Sequence, residues 1–97
     1  MSAKTAKARI DFLLLEEGGR HTLPHSGYRP VARFDGDPHP EFAWSLTLTF
    51  DKPVGRKGNT ATVSFLAPEG PSELFMVGRK FSLYEGAHLI GCGVIEE

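Results

Sequence analysis

FAWSLTLTF, residues 42–50, sets Phe42, Trp44, Leu46, Leu48 and Phe50 at every second position, with Ala43, Ser45, Thr47 and Thr49 between them. Side chains of a strand alternate between its two faces, so this spacing sends all five large apolar groups one way and the hydroxyls the other. On a helix the same residues would scatter around the axis. The stretch therefore reads as a strand with one buried face. The aromatic stripe is core before it is a platform for stacking bases, because stacking needs exposed rings beside cations.

Working outward, every neighbouring segment reads the same way. ARIDFLLLEE, from Ala8, places Ile10, Phe12 and Leu14 on one face. VARF, from Val31, is a short extended piece, and TATVSFL puts Ala61, Val63 and Phe65 on one side. The last part, LFMVGRKFSLYEGAHLIGCGVIEE, holds two or three strands, with residues 84–88 as a hairpin connection. Gly91 and Gly93 leave gaps in the final strand where another element can approach. DGDPHP, DKPVGRKGN and APEGPSE are turn-rich connections, and Lys57-Gly58-Asn59 suits positive backbone angles. No stretch carries a helical period. Short strands between glycine and proline turns predict an all-β domain, and about six strands favour a small closed barrel, which leaves no bare edge.

The chain has 97 residues, 40% hydrophobic and 24% charged, with a net charge of −1. That is one small domain, long enough to bury roughly 60–68% of its unfolded surface. The charge gives no global pull toward nucleic acid or acidic membranes, so such a role would rest on a local patch. Cys92 is the only cysteine, which excludes an intrachain disulfide and an all-cysteine metal site. The apolar run after the basic start is too short for a signal peptide or a membrane span. The expected setting is cytoplasmic, without membrane association. Residues 1–6 read as a frayed basic tail and 7–97 as the barrel.

The connection EEGGRHTLPHSGYRP, residues 16–30, is far longer than a reversal of direction needs. It resembles the start of the C-terminal barrel domain of bacterial translation elongation factor Tu, where Glu-Gly-Gly-Arg-His-Thr leads into Gly-Tyr-Arg-Pro at the same spacing. FSLYEGAHLIGCGVI resembles that domain's closing hairpin, Phe-x-Ile-Arg-Glu-Gly-Gly-Arg-Thr-Val-Gly-x-Gly-Val-Val. The two motifs lie at opposite ends, so the resemblance spans nearly the whole chain. It implies a six-stranded antiparallel Greek-key barrel. In that family the barrel helps hold the T stem of aminoacyl-tRNA and also docks another domain and other proteins.

Carried over residue by residue, the resemblance implies an RNA contact surface of Arg20, His21 and Thr22 in the long loop, Arg29 beside it, and Glu85 and Gly86 in the hairpin. A guanidinium and a hydroxyl are suitable phosphate donors. The alternative is a structural corner, with Gly18-Gly19 supplying positive φ and Arg20 paired to Glu16 or Glu17. Pro30 forces Arg29 to be extended, and Tyr28 is expected to pack on the barrel end. The chain also departs from the family: Val31 stands for Gln, Ala67 for a basic residue, Tyr84 for Arg, and Ala87-His88 for Gly-Arg. Cationic or polar positions have become apolar or weaker. There is no GxxxxGK[ST] phosphate loop, so GTP hydrolysis is not expected of this chain.

Other chemistry has thinner support. Arg56-Lys57 reads as a solvated turn and Arg79-Lys80 as charge protecting a strand edge. His21, His25 and His39, with Asp35 and Asp37, lack the spacing of a metal motif and read as a surface cluster, and no metal or cofactor is expected. His88 reads as a polar cap. Cys92 reads as a small buried thiol with no base or orienting group beside it. The carboxylate pairs Glu16-Glu17 and Glu96-Glu97 are adjacent residues, whose side chains in a strand would point to opposite faces. An enzyme is therefore not expected. The leading expectation is a non-catalytic binding module that docks a protein partner, with self-association as a homodimer open. The second is an RNA-binding module that contacts the T-stem backbone of tRNA through the Arg20-His21-Thr22 loop and the Glu85-Gly86 hairpin.

Overall fold

The structure is a computed structural model, and it describes residues 5–13, 24, 26–37, 43–67 and 70–97. Six strands follow one another: β1 (Thr5–Phe12), β2 (Val31–Phe34), β3 (Trp44–Phe50), β4 (Asn59–Phe65), β5 (Lys80–Glu85) and β6 (His88–Ile95). They close in the spatial order β1-β4-β3-β2-β5-β6, every pair antiparallel. Strands β2, β3 and β4 are sequential neighbours, and β1 returns to lie beside β4, which is a Greek-key connection. The expected all-β six-stranded barrel is what forms, and closure leaves its strands without a bare edge.

The decisive stretch behaves as its period dictates. Leu46 and Leu48 are fully buried, while Trp44 and Phe50 are half-buried and pack against the same core. Thr49 points to solvent. Phe42 lies outside the described residues. Ala61, Val63 and Phe65 of β4 meet them from the next strand, in the register Leu48↔Val63 and Phe50↔Ala61. Each large side chain fully removed from water contributes about 1.5–3 kcal/mol before conformational entropy is set against it.

Strand β1 begins at Thr5, three residues before the start that the sequence pattern favours. Ala6 pairs with Val63 and Ala8 with Ala61, and both alanines are buried. Alanine carries little strand preference, so Ala6 reads as tail although its inward face is sealed. At the other end of the strand Leu14 to Glu17 lie outside the described residues.

The register sorts the connections into two ends. At the first end lie the segment 26–30, the turn 51–58 and the β5–β6 turn at Gly86-Ala87. At the second lie the start of β1, the turn after β2, and the loop from Leu66 to Arg79. An aromatic cluster fills the second end: Phe65 stacks on Phe75 at 4.6 Å, and Phe34 lies 5.3 Å from Phe81 and 6.0 Å from Phe65. A 3-10 turn, Ser72–Leu74, brings Leu74 and Phe75 down onto this cluster. No helix among the described residues is long and apolar enough to cross a membrane.

Candidate functional site

The first end gathers part of the surface that the resemblance implies. Residues 26–30 run beside β3 rather than looping free. The Gly27 amide donates to the Leu48 carbonyl at 2.7 Å, the Leu48 amide to Tyr28 at 2.9 Å, and the Leu46 amide to Pro30 at 2.9 Å. Pro30 is buried, and Tyr28 packs against the core as expected, while Arg29 is left exposed. The Tyr28 hydroxyl donates a hydrogen bond to Glu85 Oε2, tying this segment to the hairpin. Gly86 then takes φ +59, which lets β5 reverse into β6. Arg29, Glu85 and Gly86 thus belong to one end of the barrel. Arg20, His21 and Thr22 lie outside the described residues.

The carboxylate held there has an electrostatic consequence. Glu85 is anchored by Tyr28, so its carboxylate is held at the end of the barrel that also carries Arg29. Arg33 lies with its guanidinium carbon 6.0 Å from the centroid of the Tyr84 ring, its charge spread over an aromatic face.

Two other expectations change. Cys92 is exposed rather than buried. Gly91, Gly93 and Ile95 take the inward positions of β6, so the residue between the glycines must face out. It pairs with Asp11 on one side and Ser82 on the other, above a shallow groove of about 340 Å³ that Arg9, Lys80 and Val94 also line. The glycines do admit close neighbours: a Cβ on Gly93 would stand 2.5 Å from Phe81 Cζ, and one on Gly91 2.7 Å from the Asp11 carbonyl oxygen. Arg79 is the second change. It does not guard an edge, since the barrel is closed, but lies half-buried where two connections meet at the second end.

That meeting was not visible in the sequence. Phe34 pairs with Phe81, and the Asp35 amide donates to the Lys80 carbonyl at 2.9 Å, which brings the turn after β2 against the approach to β5. Gly36 has φ +74, and a Cβ there would stand 2.8 Å from Arg79 Nη1. The guanidinium occupies the space that this glycine leaves. Gly78, at φ +88, aims its own amide at the Ile95 carbonyl 2.7 Å away, so Met76 and Val77 are carried on a turn fastened to β6. Phe75 points inward beneath them. Met76 and Val77 are 58% and 71% exposed and border a bowl of about 410 Å³ with Asp35, Gly36, Arg79 and Lys80. Only the glycines of the two turns hinted at this in the sequence; the strand register supplied the rest.

Arg56 and Lys57 are exposed in their turn, as read, and His88 is exposed beside the hairpin turn. No three His, Cys, Asp or Glu side chains among the described residues stand close enough to hold a metal ion. His21, His25 and His39 lie outside those residues. No family model matches the chain.

Proposed function

We propose that this barrel is a non-catalytic docking module for a protein partner, and that the second end, around Met76 and Val77, is its contact surface. The observation that carries the reading is the outward placement of these two adjacent apolar side chains above a buried aromatic plug. A turn that had only to close the barrel could present polar residues there. Apolar groups held at a fixed place favour a partner that covers them. The resemblance to the elongation factor Tu barrel supports the same reading, since docking does not require the polar positions that this chain replaces.

The test is site-specific photocrosslinking in intact cells, with p-benzoylphenylalanine at position 77 or position 29. Protein docking predicts ribonuclease-resistant protein adducts from position 77 that diminish with Met76→Ser and persist with Arg29→Ala. Adducts confined to position 29 and destroyed by ribonuclease would favour RNA binding at the first end instead.

A further inference from the structure

Arg79 carries the clearest unmet chemistry among the described residues. Its Nη1 donates to the Asp35 carbonyl oxygen, which fixes one side of the guanidinium. Among the described residues Nη2 has only the Met76 thioether, 3.3 Å away, and Nε is buried without a hydrogen-bond partner. Nε and Nη2 lie on the same edge of the plane, the edge that a carboxylate grips side-on with two parallel hydrogen bonds. A thioether is a weak acceptor, and a buried donor without a partner is unfavourable. No carboxylate among the described residues pairs with this guanidinium, although Asp35 stands on the rim of the same bowl.

Taking the docking reading as its basis, we infer that Arg79 is the recognition residue of that surface, and that it binds an aspartate or glutamate side chain of the partner flanked by apolar residues. Met76 caps the side-on edge in the free protein. The incoming carboxylate displaces the sulfur, satisfies Nε and Nη2 together, and leaves the Met76 side chain to pack with Val77 on the partner's apolar groups. Met76 is suited to this, because an unbranched thioether chain repacks with little strain. Charge complementarity selects the occupant: one guanidinium with Lys80 beside it suits a single negative charge. A phosphate would bring more charge and hydration against Asp35 and against two apolar side chains.

The experiment is an NMR titration of the whole chain with three blocked peptides: Leu-Glu-Leu, Leu-Gln-Leu and Leu-phosphoserine-Leu. The readouts are the Arg79 Nε–H and Met76 methyl resonances. The glutamate peptide is expected to shift both and to bind about fivefold more tightly than its glutamine counterpart. Arg79→Lys keeps the charge but not the two-donor edge, and should abolish that preference while the barrel's other resonances stay in place. Met76→Leu keeps the apolar bulk but removes the competing sulfur, and should tighten glutamate binding. Three results would overturn the inference: unmoved Arg79 resonances, equal response to glutamine, or tighter binding of the phosphoserine peptide. Crosslinking at position 77 that survives Arg79→Lys unchanged would leave the docking reading standing and remove only this one.

Discussion

Replacing Asn59 by alanine takes away three hydrogen bonds at once. Its amide nitrogen donates to the carbonyls of Ile10 at 3.0 Å and Gly55 at 2.7 Å, and its Oδ1 accepts from the Gly55 amide at 2.8 Å. This buried side chain holds the turn 51–58 against β1, helped by the Gly58 amide donating to Asp11 Oδ1 at 2.7 Å. Asn59→Ala should cost about 2–3 kcal/mol in urea unfolding, since it leaves a buried carbonyl short of its donor. Gly93→Ala drives a methyl into the buried ring of Phe81 and should cost about 1–3 kcal/mol by the same measurement. The glycines of β6 were legible because a glycine within a strand marks a close approach. Cys92 was misread for the opposite reason: its residue type suggested burial, while the parity set by Gly91, Gly93 and Ile95 placed it outside. Arg79 was illegible because Asp35, whose carbonyl holds its guanidinium, belongs to a turn more than forty positions away along the chain.

The β5–β6 hairpin is the element that the sequence described best, and the segment before β2 the one it described least. Hairpin strands declare themselves by alternation and by a glycine at the reversal. An extended stretch such as residues 26–30, with a glycine and a proline among five residues, looks like loop until its partner strand is known. Its tie to the hairpin is testable. Tyr28→Phe removes the hydroxyl that holds Glu85 but keeps the packed ring, so stability should fall by under about 1 kcal/mol at this exposed site. Amide exchange should rise selectively across residues 85–88, because the turn then loses the side-chain bond that ties it to the segment before β2. Strand β2 shows the same dependence on context: it pairs with β3 at Val31 and Ala32 but with β5 along its whole length.

Seen whole, the barrel has no half that could stand by itself, since each strand is flanked on both sides. Ile95 lies on the seam between β1 and β6, paired with Ala8 and fully enclosed. Ile95→Ala should cost about 2–4 kcal/mol and should lower one shared unfolding midpoint for near-ultraviolet and far-ultraviolet dichroism rather than fray the last strand alone. The same seam fixes where the two chain ends leave. The Lys7 amide donates to the Glu97 carbonyl at 2.9 Å, and the Glu96 amide donates to Lys7 at 2.8 Å, so the opening of β1 and Glu97 stand side by side at the second end, near Arg79. A fluorescent fusion attached after Glu97 would therefore crowd the bowl proposed as the contact surface. Joining the ends through a short linker and reopening the chain between Gly86 and Ala87 would move the handle to the opposite pole. Such a circular permutant should keep the barrel and present the bowl unobstructed.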